Sequence, residues 1–224
     1  MEFSFGIDRQ EALRYAGMRP SALPAELEPV LQNAMARIRQ SAQPRVQHRM
    51  LELQRREEGL FLSTGQRLPG GDIGRTLASS HRVLLFAATL GAGVDAALRR
   101  AQAGDMTLAL LMEGCASAAV ESLCDRAQQA LVEESGLYGT DRFSPGYGDF
   151  PLAFQPVLLS LLDAPRRMGL HVTAEHLLLP RKSVTALIGL STSPQPTPRR
   201  GCGQCPLVST CLYRKEGLVC DPSR

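Results

Sequence analysis

The segment Arg142-Phe-Ser-Pro-Gly-Tyr-Gly-Asp149 gathers residue types suited to laying a backbone against a ligand. Pro145 presets φ for the second position of a turn, and Gly146 and Gly148 accept φ > 0 or the close approach of another molecule. Around that backbone stand a fixed planar cation at Arg142, an aromatic ring with a hydroxyl at Tyr147 and an acceptor at Asp149. Such a set can hold a zwitterionic ligand that carries a flat ring. An ordinary surface turn after a helix has the same glycine and proline content.

A second constellation is made of cysteines. Of the 6 in the chain, Cys202, Cys205, Cys211 and Cys220 fall beyond the linker-like stretch Ser191-Thr-Ser-Pro-Gln-Pro-Thr-Pro198. Thiolates at such spacing close small loops and can converge on one metal, with paired disulfides or loose thiols as the alternatives. Only Cys202 and Cys205 form a Cys-x-x-Cys pair, whereas structural zinc favours two such pairs. The spacing also departs from common ferredoxin runs, and we expect a four-iron cluster ahead of zinc. Cys115 and Cys124 read as small core residues of a helix, and His171 and His176 as strand residues.

The elements that must position these groups follow from periodicity. Asp8 caps a short helix containing Ala12, Leu13, Tyr15 and Ala16. Leu27, Val30, Leu31, Ala34, Met35 and Ile38 share one face of a helix over 24–40. The Arg- and Gln-rich region 37–56 is diluted by Glu52 and reads as a solvated helix face, with 51–62 ambiguous and Gly59–Leu62 a candidate strand. A short helix begins at Asp72 or Thr76. Arg82 to Leu90 is apolar on both faces and reads as a central strand. Gly91 and Gly93 then form a strand-to-helix turn, since the third glycine of a dinucleotide loop is missing. The longest helix runs from about Met106 to Ser135, capped by Asp105 and stopped by Gly136, with Gly114, Ala116, Ser117, Ala118 and Ala119 admitting another element closely. A helix over 154–168 and an antiparallel pair of strands, 170–179 and 183–190, complete an α+β fold with a mixed or antiparallel twisted sheet and several helices.

Composition sets the class. The chain has 224 residues, 44% hydrophobic and 21% charged, as a soluble globular protein has. Its net charge of +3 equals the surplus in residues 199–224, where five basic side chains face two acidic ones. The body is therefore neutral, which argues against nucleic-acid binding. No run reaches the ~20 apolar residues of a membrane helix and the start lacks signal-peptide character, so the expectation is a cytoplasmic protein with no membrane partner.

The run Arg142-Phe-Ser-Pro-Gly-Tyr147, followed by Pro180-Arg-Lys-Ser-Val-Thr-Ala-Leu-Ile-Gly189, resembles the S-adenosylmethionine-binding activation domain of cobalamin-dependent methionine synthase. It is closer still to the free-standing activation proteins related to that domain. The resemblance spans 84–190 and implies an activation-like domain over 1–190, a linker over 191–201 and a metal-binding tail over 202–224. It implies that Arg142, Ser144, Pro145, Gly146 and Tyr147 line an S-adenosylmethionine site, with Glu121 at the place of the family's ligand-contacting glutamate. Arg142 would pair with the ligand's carboxylate and Tyr147 would lie beside adenine or the sulfonium. Gly148 to Leu152 departs from the Ala-Cys-Pro run usual in the synthase, and the aromatic residue that the synthase supplies from its C-terminal part has no match.

The implied function is reactivation, in trans, of a methionine synthase that lacks its own activation domain: an electron and a methyl group from S-adenosylmethionine restore the partner's cobalamin. The electron would come from a donor such as a flavodoxin or ferredoxin. This methyltransferase chemistry belongs to cobalt and the sulfonium, so no catalytic residue is assigned. The alternatives are a non-catalytic adaptor, or a redox activator of another corrinoid methyltransferase, with a structural metal tail.

Overall fold

The computed structural model describes residues 3–18, 23–194 and 209. In chain order, α1 (Arg9–Tyr15) and α2 (Glu28–Ser41) precede the strands β1 (Arg45–Arg56), β2 (Gly59–Leu62) and β3 (Arg67–Leu68). Then come α3 (Gly71–Thr76), β4 (Arg82–Thr89), α4 (Ala92–Gly104), α5 (Met106–Ser135) and β5 (Tyr138–Gly139). The remainder is α6 (Gln155–Leu162), α7 (Ala164–Met168), a hairpin of β6 (His171–Val172) and β7 (Leu178–Leu179), and β8 (Ser183–Ser191). The fold is α+β. Six strands form one antiparallel sheet in the order β3-β2-β1-β4-β8-β5.

β4 lies inside this sheet, and every residue after Arg82 is buried. Alternate side chains point to opposite faces. Leu84, Phe86 and Ala88 meet α1, α2, α4 and α5, whereas Val83, Leu85 and Ala87 meet α3, α6 and α7. The two helical layers thus enclose two apolar cores, one on each side of the strand that the sequence marks as central.

The frame of the first layer is α5. Asp105 accepts from Leu108 N at 3.0 Å, and Gly136 ends the helix in the left-handed region. Gly114 is where α1 crosses: a Cβ there would run into the Ala12 carbonyl oxygen, so only glycine permits the approach. By length and composition α5 is long and apolar enough to cross a membrane, contrary to the reading of the sequence; 67% of that apolar window is buried inside the protein, against α1, α2, α4, β4 and β8. It is the core helix of the domain.

Several expectations need correction. Residues 45–56 form a strand, not a helix face. The register Leu51↔Val83 and Arg49↔Leu85 places 47, 49, 51 and 53 on one face and the polar His48, Glu52 and Gln54 on the other, a period of two that arginines at both parities obscure. The expected helix 154–168 breaks at Asp163, which takes φ 51°. Pro165 accounts for this, because its ring cannot continue a helix but suits the first turn of a new one. The expected pairing of 170–179 with 183–190 is absent: β8 pairs with β4 and β5, and 170–179 folds on itself through a turn at Thr173–His176. Gly93 bears out the turn reading. Gly91 caps α4 at φ 84°, and Gly93 abuts the Ser41 carbonyl at the end of α2, where a Cβ would collide.

Candidate functional site

After α5 the chain turns back beside β8. Thr140 N donates to Gly189 O, and Phe143 and Leu187 exchange both backbone hydrogen bonds at 2.9 Å. Phe143 therefore packs against the α3–α6–α7 side with Leu187, and Arg142 faces α5. There its guanidinium donates to Gln128 Oε1 at 3.0 Å, to Glu121 Oε2 at 3.1 Å and to Asp125 Oδ1 at 2.7 Å. Glu121, Asp125 and Gln128 are four and three residues apart, the spacing that aligns side chains on one helix face. Gln128 completes the link by donating to Thr140 O at 3.0 Å.

The Arg142 side chain is 16% exposed, its partners Glu121 and Asp125 43% and 63%. Burial alone would lower the arginine pKa, but Cys124, Asp125 and Glu121 outweigh it and the net shift is upward. The cation is fixed. Of the expected ligand-binding side chains, Arg142 and Glu121 are thus each other's partners, and Asp125 and Gln128 join them. Neither of those two was expected. The Glu-x-x-x-Asp-x-x-Gln stripe on α5 is the signal that could have found them.

The turn that follows is closed by its own backbone. Tyr147 N donates to Ser144 O at 3.0 Å, Phe150 N to Tyr147 O at 2.9 Å and Gly146 N to Phe150 O at 2.8 Å. Pro145 is buried and Ser144 half-buried, while Tyr147 is 59% exposed and stands edge-on to Phe143. Asp149 is not a free acceptor. Its carboxylate caps α3, accepting from Gly71 N at 2.7 Å and Asp72 N at 2.9 Å, and its own N–H donates to Asp72 Oδ2. The turn is therefore tied to α5 at one end by Arg142 and to α3 at the other by Asp149.

On their other side the two carboxylates line a cleft of about 470 Å³ between α5 and the N-terminal segment. Its polar walls are Asp8, Glu11, Glu121, Ser122, Asp125 and Arg126. Gly6 N donates to Ser122 Oγ at 2.9 Å and Arg126 to Ser4 Oγ at 3.1 Å, so the segment is pinned to the helix. Glu121 and Asp125 are paired with Arg142 and Glu11 with Arg14, so with Arg126 in the wall the four carboxylates leave a surplus of one negative charge, which favours a cationic ligand. The hydroxyl of Tyr15 registers its surroundings: burial raises its pKa first, and the Glu121 charge adds to that.

The Pro180 corner meets α5 nearer its N-terminus. Lys182 Nζ donates to Glu113 Oε1 at 2.6 Å and to Ser117 Oγ at 3.0 Å, and Arg181 N donates to the buried Asp95 at 2.8 Å. Glu113 lies two turns, about 12 Å, from Glu121 along the helix. Among the described residues no group of three or more His, Cys, Asp or Glu converges as metal ligands. Cys202, Cys205, Cys211 and Cys220 lie outside the described residues.

No protein-family model matches the chain, and no curated protein matches it significantly. Among solved structures, the crystal structure of the MetH reactivation domain bound to AdoHcy aligns with it at a TM-score of 0.53 and 14% sequence identity, covering 86% of this chain and 73% of that one. The likeness is one of fold: both chains share this α+β architecture.

Proposed function

We propose that this chain binds S-adenosylmethionine in the cleft beside Glu121 and delivers its methyl group to a corrinoid held by a separate protein, a cobalamin-dependent methionine synthase without its own activation domain. The observation that carries the reading is the cleft of about 470 Å³ lined by Glu121 and Asp125, the two carboxylates that hold Arg142 from their other side, in a fold similar to that of a reactivation domain. The donor set fits the ligand. Asp8, Glu11, Glu121 and Asp125 suit the ammonium and sulfonium charges, whereas Ser144, Pro145, Gly146 and Tyr147 are not among the residues that line the cleft. A ligand carboxylate that took the Nη2 end of Arg142 would displace Glu121 and Asp125 from it.

The protein's part in this reading is to bind, orient and exclude water. The methyl group leaves the sulfonium for the partner's reduced cobalt, and the sulfur keeps the electron pair and becomes a neutral thioether. The electron that first reduces the cobalt comes from a donor such as a flavodoxin or ferredoxin. We assign Cys202, Cys205, Cys211 and Cys220 to an iron–sulfur cluster, with zinc as the alternative; visible and paramagnetic-resonance spectra of anaerobically purified protein distinguish the two.

Calorimetric titration with S-adenosylmethionine tests the site. Binding to the wild type, weakened by about ten-fold or more in both Glu121→Gln and Arg142→Ala, is the expected result. One feature favours a second reading: three of the five guanidinium N–H groups of Arg142 are already engaged by α5, as in an adaptor that docks on a corrinoid methyltransferase without a ligand of its own. Absence of binding by the folded wild type would leave that adaptor.

A further inference from the structure

β1 outruns the strand beside it. Residues 45–52 pair with β4 on one side, whereas on the other side β2 accompanies β1 only from Leu53 to Arg56. Backbone polar groups of successive strand residues point to opposite sides. Leu53 N donates to His81 O, toward β4, and Glu52 O accepts from Ser63 N, toward β2. Even-numbered residues of β1 therefore aim their N–H and C=O groups away from β4, and at Val46, His48 and Met50 no described strand or backbone group receives them. His48, Arg49 and Met50 are exposed. The lane beside them is open for about five residues, or about 17 Å, before Ser63 closes it.

The side chains along this edge are of two kinds. Val46, His48 and Met50 stand on one face of the sheet, and Arg45, Gln47 and Arg49 on the other. Val46 packs on the first core, and Met50 is half-exposed. On the arginine face β1 carries no carboxylate between 45 and 51. Glu52 has the opposite parity and faces Arg82 across β4, while Glu57 and Glu58 sit in the turn after Arg56, where β2 already fills the lane. Arg49 is anchored by donating from Nη1 to Leu161 O at 3.2 Å, near the end of α6. The next helix, α7, packs on β1 and adds Arg166 and Arg167, with Asp163 as the acid they share.

From these observations we propose that the free edge of β1 accepts one further strand, an extended protein segment in which acidic and apolar residues alternate. Backbone bonds to Val46, His48 and Met50 supply the attachment, by strand addition. Side chains directly opposite in paired strands share a face, so the segment's acidic residues meet Arg45 and Arg49 and its apolar residues meet Val46 and Met50. A second copy of this chain fits the edge poorly. Antiparallel pairing of two such edges about Gln47 sets Arg45 opposite Arg49 twice across the seam, and pairing about His48 brings the chain before the incoming β1 level with Glu52, where Ser63 already sits. A short free segment meets neither obstacle. No residue of the edge lines the cleft beside Glu121, so the proposal stands whether or not that cleft binds S-adenosylmethionine.

The test uses the full chain and a fluorescein-labelled peptide of alternating valine and glutamate, followed by fluorescence anisotropy. Only one parity of the peptide's amides faces β1. N-methylation of either the valines or the glutamates should therefore weaken binding by about ten-fold or more, and N-methylation of the other set by less than about two-fold. His48→Pro should cause a loss of the same size, because it removes one outward N–H and leaves the odd-numbered ladder to β4 intact, and an edge strand tolerates proline. Arg45→Glu/Arg49→Glu should bind about ten-fold more weakly, and Arg99→Glu/Arg100→Glu, the same charge change on α4, less than about two-fold. In the free chain the amides of His48 and Met50 should exchange hydrogen much faster than those of Gln47 and Arg49. Equal protection of the two parities would mean that the edge is already covered and would overturn the proposal. So would equal tolerance of the two N-methylated peptides, equal loss in the two charge-reversed proteins, or no binding by wild type of native circular dichroism.

Discussion

Two cations reach the same stripe of α5 and do so on different terms. Lys182, from the corner before β8, meets Glu113 and Ser117; Arg142, from the edge segment beyond β5, meets Glu121, Asp125 and Gln128. Both are well buried, at 11% and 16% side-chain exposure. Their partners differ. Glu113 is 34% exposed, and its second oxygen is buried without a hydrogen-bond partner among the described residues. Glu121 and Asp125 are 43% and 63% exposed and open onto a cleft. The same kind of ion pair is therefore a fastener at one place and one wall of a candidate site at the other. What separates the two is whether the carboxylates have a second, solvent-facing side.

The buried flank of α5 supplies the largest effect. Cys115 lies on the half of the helix that receives Lys182, and Cys124 on the half that receives Arg142. Burial pushes both thiols up to about 12, and Arg142 partly opposes this at Cys124. A thiol whose pKa is higher folded than unfolded keeps its proton in the native state. Stability is then unaffected below the unfolded value and falls as pH rises through it. Between about pH 8 and about pH 10 the pair should cost about 2.5 kcal/mol, at about 1.4 kcal/mol per unit beyond the unfolded pKa for each. Urea unfolding at the two pH values measures it. The Cys115→Ala/Cys124→Ala protein should lose that slope, and an unchanged slope would refute the assignment to these thiols.

Next in size is Lys182→Met. It leaves the partly desolvated Glu113 carboxylate with only the more distant and exposed Arg181, 3.5 Å away, as its cation, which should destabilise the protein by about 1 kcal/mol. Affinity for S-adenosylmethionine should stay within two-fold. A large loss of affinity at unchanged stability would reverse the roles assigned to the two ends of the stripe.

Much of this arrangement was legible in the sequence, and what was missed has identifiable causes. Asp105, Gly136 and the apolar stripe marked α5 because caps and helical periodicity act locally. The unbroken apolar run at β4 marked a strand buried on both faces. Region 45–56 read as a helix because arginines occupy both parities of β1, and only the pairing with β4 shows that Leu51 and Leu53 carry the buried face. At the site, Arg142 and Tyr147 stood out by type. Asp125 and Gln128 did not, because a polar stripe on a helix looks the same whether it meets water or a guanidinium. Asp149 was read as an acceptor for a ligand, since nothing in its neighbourhood in sequence shows that the N-terminus of α3, some seventy-seven residues away, will claim its oxygens.

Asp125→Asn makes the smallest change to the fold and the sharpest to the comparison. Asp125 is 63% exposed, and its pair with Arg142 is screened by water. Removing its charge should cost no more than about 0.5 kcal/mol of stability, because Glu121 and Gln128 still hold the guanidinium. The cleft loses one of its four carboxylates, so affinity for a cation should drop by about three-fold, and the drop should shrink as salt rises. A neutral analogue, in which the sulfonium is replaced by a thioether, isolates the sulfur charge from the ammonium common to both ligands. If Asp125 faces the sulfonium, only the cation's affinity falls. Equal losses for both ligands would place it beside the amino acid end instead, and the Arg142–Asp125 pair would then be the bond that a ligand carboxylate has to open.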